Sequence, residues 1–373
     1  MDHLAALAAE PRPAGGPGAD RARAYCAGVL RAHGYQVIER PFEFSALPGV
    51  FGAQAAGLWS LVTLLAASRL GMEGHPAIAV AALALGGAGL AFAARAMGRS
   101  GVLGLPVMRR RGVNLEAVRD GAAPGLWLVA HIDSKWQPVP MLLRSAGAAL
   151  LVTCSGGALT LGLEQWAGAV GPGPWKWLGL LSAVASLPLL LSLVGGRNRG
   201  AVDNASGVAT VLTTVELLGP TASVGVLITD AEELALAGAR AWCADRRTGP
   251  GVALNCDTVD DDGTLTIMRV GGDRTRRESS EATPRVPRLV EALRSAAAAD
   301  GQSARVIPLL PGVLTDSVAF AAAGWTTVTV SRGTMRTLGR IHTMRDGLAG
   351  LSGAGSAPVA RVLARAVLEL AQG

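Results

Sequence analysis

Residues 226–238 read VLITDAEELALAG. The apolar run Ser223–Thr229 suits a strand buried on both faces, and Glu232–Ala244 carries a helical pattern. Two adjacent carboxylates, Glu232 and Glu233, stand immediately after that strand. Neighbouring carboxylates repel unless a cation or a shared proton relieves them. At a helix start both also suit the positive end of the helix dipole, so the segment alone leaves two readings open.

Working outward, strands and helices alternate. Asp20–His33 reads as an amphipathic helix and Gln36–Phe44 as an alternating strand. Val113–Val118 and Gly125–His131 read as two more strands, Asn204–Leu218 as a helix and Val252–Asp257 as a strand. Thr264–Val270 is a candidate neighbour strand. Arg285–Ala299, Thr315–Ala323 and Ala357–Ala371 read as helices, with strands at Arg305–Pro308 and Trp325–Val330. This pattern predicts an α/β fold, a mixed sheet covered by helices on both faces.

Two regions interrupt it. Phe44–Ser68, Pro76–Ala94, Ser145–Leu163 and Trp177–Gly196 contain no Asp, Glu, Lys or Arg. Each is about as long as the roughly 20 apolar residues that cross a bilayer core. Four buried Ala/Gly-rich helices of a soluble core are the alternative, but two close pairs favour two inserted transmembrane helical hairpins. The expected organisation is a first part over 1–43, a hairpin over 44–96, a continuation over 97–140, a second hairpin over 141–196 and a final part over 197–373.

Half of the residues are hydrophobic and 17% charged, against about 25% in an average chain. That composition excludes a disordered chain. The net charge of +6 sits largely near the open ends of the hairpins, at Arg40, Arg95, Arg99, Arg109, Arg110, Arg111, Arg144, Arg197 and Arg199, whereas the tips carry Arg69 and Lys176. The positive-inside rule then places the open ends in the cytoplasm. The expectation is an integral protein of a bacterial plasma membrane, touching lipid through four helices. No aromatic-interleaved basic strip points to nucleic acid. The spans contain no ionisable side chain of the kind that marks a transport path, so anchoring is their expected role. Cys26, Cys154, Cys243 and Cys256 have no metal-ligand spacing and are expected as reduced thiols.

Five segments place potential ligands after apolar runs, where open α/β sheets present their sites. LWLVAHIDS carries His131 and Asp133, which point the same way in an extended chain. Asp133 is thereby placed to receive the second N–H of the His131 imidazole. GAVDNASGVA carries Asp203 and Asn204, which would also serve as a helix cap. To these are added Glu232 and Glu233, Asp257 in VALNCDTVDDDG and His342 in GRIHTMRDG. The triplet Asp260–Asp262 reads as a solvated turn. Individually each has an ordinary structural explanation. Together they supply a bridging carboxylate, one further carboxylate and one imidazole per metal, and a general base.

In this order, HxD, DNASG, EE with a Gly five residues on, a strand-end Asp and a late His, the sequence resembles the M28 zinc aminopeptidases. TDSVAFAAAGWTTVTVS, with Asp316, is similar to the family's segment before its last His. The resemblance covers nearly all of the chain outside the hairpins and implies two Zn2+. Asp203 would bridge them, His131 and Asp257 would complete one metal's ligands, and Glu233 and His342 the other's. Glu232 would be the general base and Asp133 would orient His131. The family's EExGLxGS reads EELALAGA here, with Ala235 and Ala239 in place of Gly and Ser.

The implied function is a membrane-anchored di-zinc aminopeptidase that hydrolyses the N-terminal bond of a peptide substrate through a metal-bridging water. A hydrophobic or membrane-released peptide is the expected substrate. Two alternatives belong to other classes. HIDSK is also similar to the segment of the family's glutaminyl cyclases, zinc acyltransferases. A catalytically silent, peptidase-like binding domain is the other.

Overall fold

The computed structural model describes residues 3–119, 124–220, 222–245, 251–270, 286–309 and 313–371. The first elements are α1 (His3–Leu7), α2 (Pro17–Ala32), β1 (Gln36–Ser45), α3 (Leu47–Met72), α4 (Pro76–Ala96), α5 (Val102–Gly104), β2 (Arg109–Val118) and β3 (Leu126–His131). Next come α6 (Met141–Trp166), α7 (Trp175–Leu190), α8 (Ser206–Leu218), β4 (Gly225–Thr229), α9 (Ala237–Asp245), β5 (Val252–Val259) and β6 (Thr264–Arg269). The chain closes with α10 (Val286–Ala299), β7 (Ala304–Pro308), α11 (Asp316–Ala322), β8 (Thr326–Gly333), α12 (Met335–Arg340) and α13 (Ser356–Ala371). Arg285, the expected start of α10, lies outside the described residues.

The chain divides into two compact units. One comprises Met1–Phe44, Arg109–Trp136 and Gly195–Gly373 and holds a single eight-stranded mixed sheet in the order β1-β2-β4-β3-β5-β8-β6-β7. The central β4, β3, β5 and β8 are parallel, with antiparallel β2 on β4 and β6 on β8. His131 at the end of β3 lies opposite Thr229 at the end of β4, and Val129 lies opposite Asn255 of β5. The chain crosses from β3 to β4 in one direction and from β4 past β3 to β5 in the other. Such a reversal opens a crevice beyond the carboxyl ends of the strands.

Strands β3, β4 and β5 are buried along nearly their whole length, which is why they read as largely apolar runs, and β8 is buried over Thr326–Val330. Trp127, Val129, Leu227 and Ala253 of the sheet pack with Leu236, Ala239, Trp242, Ala319, Phe320 and Trp325. Trp242 lies at the middle, its ring 5.0 Å from Trp127, 5.3 Å from Trp325 and 5.6 Å from Phe320. Its indole N–H donates to Glu116 Oε2 at 2.7 Å, as a buried indole requires. Helix α8 packs against β3, β5 and α13. Its buried hydroxyls find partners within the helix region: Ser206 donates to Val202 O, Thr210 to Ser206 O and Thr214 to Thr210 O.

The second unit, Ser45–Met108 and Gln137–Val194, contains α3, α4, α6 and α7, which pack as α3 on α4, α4 on α6, α6 on α7 and α7 on α3. It is small inside and apolar outside. Gly71 abuts the Trp175 ring so closely that a Cβ would come within 2.2 Å of it, and Gly86 abuts Thr63 similarly at 2.3 Å. Phe51, Leu58, Leu85, Phe92, Val152 and Trp177 point outward. Small residues at helix contacts and large apolar ones outside suit a lipid-facing bundle. Three helices, α3, α4 and α6, are long and apolar enough to cross a membrane. The fourth differs from expectation: α7 has 16 residues and ends two residues after Pro188, which lacks the N–H an interior helical residue donates. This unit also carries the first insertion past residue 96, to Met108.

Candidate metal centre

The site is assembled at the carboxyl ends of the parallel strands. β3 ends at His131, and Asp257 lies near the end of β5. Asp203 stands in an irregular turn, Ala201–Ala205, and the helix expected from Asn204 starts only at Ser206, as α8. The Asp203–Asn204 peptide is cis. Gly200 before it has φ 55°, and a Cβ there would meet Asp203 O at 2.3 Å. The Asn204 side chain ties this turn to β5: it donates to Cys256 O and accepts from Gly207 N and Thr258 N.

Glu232 and Glu233 occupy a turn, not the first turn of a helix, since α9 begins at Ala237. The cause is tertiary. Asp133 accepts the backbone N–H of Glu232 through Oδ1 at 3.0 Å and that of Glu233 through Oδ2 at 3.1 Å. Ala231, Ala235 and Leu236 are driven to φ of 58–69°. The Gly five residues beyond Glu233, Gly238, is required by close approach, because a Cβ would meet Asp230 O at 2.1 Å. Asp230 in turn accepts N–H groups from Val113 and Ala231. His342 follows α12 in a loop, at φ 63°.

The structure brings six of the seven expected residues together around a common centre, with Asp133 directly behind. His131 Nε2 is 3.2 Å from Asp203 Oδ1, and 3.9 Å from both Asp257 Oδ1 and Glu232 Oε2. His342 Nε2 is 2.9 Å from Asp203 Oδ2 and 3.0 Å from Glu233 Oε1. Two overlapping triads result, His131/Asp203/Asp257 and Asp203/Glu233/His342, each with one donor atom per residue within 4.8 Å of the others. They share Asp203, one oxygen toward each imidazole. The hydrogen bond of His131 Nδ1 is to the Asp133 carbonyl at 3.1 Å, while the carboxylate Oδ1 stands at 3.5 Å. Asp133 thus braces the Glu232–Glu233 turn as well as the imidazole.

These donors fit a pair of metal ions. Imidazole nitrogens and carboxylate oxygens are zinc ligands. Glu233 Oε1, buried, has no hydrogen-bond partner among the described residues, although it faces the second triad. Buried acceptors are normally satisfied, so an orphan at this place suits a cation.

Electrostatics separates the carboxylates. Burial opposes ionisation of Asp203, yet the His131 and His342 imidazoles hold its carboxyl far below the usual range. Against the same burial, His342 and Lys135 keep Glu233 down, at about 2. Glu232 goes the other way: burial raises it well above its ordinary value, and neighbouring Glu233 and Asp257 add to the effect against His131. Asp257 is also raised, chiefly by burial.

Sequence reading missed three charged residues here. Lys135 donates to Glu233 Oε2 at 2.6 Å. Asp346 accepts N–H groups from Val202 at 2.7 Å and Asp203 at 3.2 Å, fixing the backbone of the shared ligand. Arg12, fully buried, donates to the carbonyls of Leu7, Ile132, Arg199 and Gly200, joining the segment after His131 to the one before Asp203. Lys135 carried a signal, being one of only two lysines in an Arg-rich chain. Asp260, expected in a solvated turn, is buried and paired with Thr337 and Arg340. All four cysteines are free thiols.

Comparison with known proteins agrees with this architecture. The family model described as Peptidase family M28 matches residues 184–367. The aminopeptidase from Aneurinibacillus sp. strain AM-1 is similar with a TM-score of 0.54 and 13% identity, over 99% of this chain and 92% of its own. BSAP, a zinc aminopeptidase from Bacillus subtilis, gives 0.53 at 14% identity, over 98% and 93%. The Bacteroides thetaiotaomicron glutaminyl cyclase bound to N-acetylhistamine gives 0.54 at 12% identity, over 98% and 94%. At these identities the likeness is one of fold. No curated protein matches the sequence. The match over residues 184–367, together with the mixed sheet, places this part of the chain with peptidase family M28 and supports a metallo-exopeptidase.

Proposed function

We propose that the protein is a membrane-anchored aminopeptidase working with two zinc ions. The observation that carries this reading is Asp203, whose two oxygens face two different imidazoles at 3.2 and 2.9 Å at the junction of two ligand triads. His131 and Asp257 would hold one ion, His342 and Glu233 the other, and Asp203 both. Bound zinc supplies Lewis acidity and makes the attacking water a better nucleophile at neutral pH.

The remaining work falls to side chains. Glu232, whose carboxyl burial raises well above its ordinary value, is the general base: Oε2 takes a proton from the attacking water and passes it to the leaving amine. Asp133 holds that carboxylate in place through the Glu232 N–H and fixes the His131 ring through its carbonyl. Asp346 and Arg12 hold the backbone leading into Asp203, the first at the N–H groups of Val202 and Asp203 and the second at the Arg199 and Gly200 carbonyls.

The test is metal analysis with a panel of aminoacyl substrates, with and without chelator. Hydrolysis should depend on metal. Glu232→Gln should retain its metal while losing activity about 10²–10⁴-fold, the usual range for general acid–base catalysis. A Glu232→Gln variant as active as the parent excludes that role. One observation favours glutaminyl cyclisation as a second reading: Lys135, within the HIDSK segment, occupies one oxygen of Glu233. Release of pyroglutamyl product from an N-terminal Gln peptide, with no amino acid released from other peptides, would select it. Metal-free protein without chelator-sensitive activity would select the silent binding domain.

In this reading α3, α4 and α6 cross the bilayer and the shorter α7 returns the chain beside α3 and α6, with the peptidase unit on the Arg-rich, cytoplasmic side. Labelling of cysteines placed at residues 73 and 110 from either side of the membrane reads the orientation. Labelling of position 110 from outside would reverse it.

A further inference from the structure

Two short segments of the sheet unit follow directly on the helical insertions. Residues 109–113, RRRGV, come after the first, and residues 195–202, GGRNRGAV, after the second. A turn near the N-terminus joins them. A Cβ added at Gly15 would meet Arg111 O at 2.2 Å, and one added at Gly196 would meet Pro13 Cβ at 3.0 Å, so both segments lie against residues 13–15. The stretches 11–18, 109–113 and 195–202 together hold Arg12, Arg109, Arg110, Arg111, Arg197 and Arg199 and no Asp or Glu. Arg12 is buried and the other five are exposed.

Of these five, Arg109 donates to Glu43 Oε2 at 2.9 Å. The side chains of Arg110, Arg111, Arg197 and Arg199 have no hydrogen bond or ion pair among the described residues. Their second run is nonetheless fixed at the backbone. Asn198 O accepts from Ser134 Oγ at 2.7 Å, Arg199 O accepts from Arg12 at 2.6 Å, and Asn198 Nδ2 donates to Lys135 O at 3.1 Å. Beside it stands Trp136, half-buried, which exchanges both backbone hydrogen bonds with Gly195 and lies 2.8 Å from where a Gly195 Cβ would be. Its indole N–H has no partner among the described residues. Like charges held together without partners make a field that favours an anion, and tryptophan collects where water meets the hydrocarbon of a bilayer.

We infer that this face of the sheet unit binds the headgroups of anionic phospholipids: Arg110, Arg111, Arg197 and Arg199 engage the phosphates, and Trp136 lies at headgroup level. This rests on the reading of α3, α4 and α6 as bilayer spans, which brings the chain out among lipid headgroups just before each arginine run. A guanidinium meets a phosphate through two parallel N–H bonds. In a zwitterionic lipid an ammonium offsets that phosphate, so the preference is for lipids that carry net negative charge. The sheet unit is thereby tied to the lipid surface by its own side chains as well as by the helices.

The test is electron paramagnetic resonance of spin-labelled lipids around the full chain, reconstituted in phosphatidylcholine vesicles. The parent should hold spin-labelled phosphatidylglycerol at least about fivefold more strongly than spin-labelled phosphatidylcholine, the effect of roughly one basic residue close to an anionic surface. Arg110→Gln, Arg111→Gln, Arg197→Gln and Arg199→Gln combined should bring the two lipids to within about twofold. Arg31→Gln, Arg288→Gln and Arg365→Gln combined, which remove exposed charges outside these segments, should keep the parent ratio. Salt at about 1 M, where the screening length is about 3 Å, should abolish the preference in the parent. Equal retention of both lipids by the parent, or the same ratio in the parent and the fourfold variant, overturns the inference while leaving the bilayer spans intact. Absence of immobilised lipid of either kind overturns the membrane reading itself, and this inference with it. Should the fourfold variant fail to fold, judged by its thermal transition, Arg110→Gln with Arg111→Gln should still lower the ratio at least about twofold.

Discussion

At the scale of single residues, the site is held by backbone conformations that its side chains do not favour. Ala235 has φ 69° where the family pattern has glycine, and a non-glycine residue in the left-handed region loses about 1–2 kcal/mol. Glycine gives back roughly 0.5–1 kcal/mol through the freedom of its unfolded chain. Ala235→Gly should therefore raise stability by up to about 1 kcal/mol; an unchanged or lower urea midpoint would show that the turn is not strained at this position. Asp316 offers a second test at this scale. Burial, aided by Asp133 and Asp257, pushes its carboxyl from 3.8 up to about 7 against His131 and the Thr229 hydroxyl. The folded chain thus keeps a proton that the unfolded chain releases. The stability this residue contributes is complete below pH 3.8 and is lost as pH rises through about 7. In chelated protein, Asp316→Asn should flatten the fall of Tm over that window. Parallel Tm profiles for the two proteins would refute the assignment.

Among the elements, the parallel strands and their polar ends are legible in sequence because both signals are local. A buried strand is a continuous apolar run, and the ligands follow such runs directly at His131 and Asp257. What is not legible depends on distant partners. The 232–236 turn reads as helix because Glu, Leu and Ala are strong helix formers. Asp133, far away in sequence, overrides that preference by accepting the N–H groups of Glu232 and Glu233. Arg12, Lys135 and Asp346 escape notice for the same reason: their partners lie in other segments, and little around them in sequence marks them. The cluster beneath the sheet is a further case, because Trp127, Trp242, Phe320 and Trp325 meet only in the fold. Trp242→Ala should cost about 3–5 kcal/mol, the usual loss for a buried aromatic ring. A loss under about 1 kcal/mol by urea unfolding would mean that the cluster does not hold α9 to the sheet.

For the molecule as a whole, the sheet unit closes its own backbone where the second insertion leaves it. Trp136 and Gly195 form an antiparallel pair with both hydrogen bonds made. Two residues between them would complete a hairpin, for which Asn-Gly is well suited. The first insertion departs from β1 and returns into β2, its neighbour in the sheet. Replacing 137–194 by Asn-Gly and 45–108 by a short turn should therefore give a chain that folds without detergent and binds zinc. Aggregation, or a soluble product lacking a cooperative thermal transition, would show that the sheet unit needs the helices to fold.

The Arg12 cage sets an order on the making of the protein. Its guanidinium leaves the ribosome early, yet two of the carbonyls it binds, those of Arg199 and Gly200, are translated only after both helical insertions. Until then the N-terminal segment can close only upon Ile132 and Ser134, and Asp203, the residue common to both triads, does not yet exist. The nascent chain therefore completes both helical insertions before the two triads can assemble.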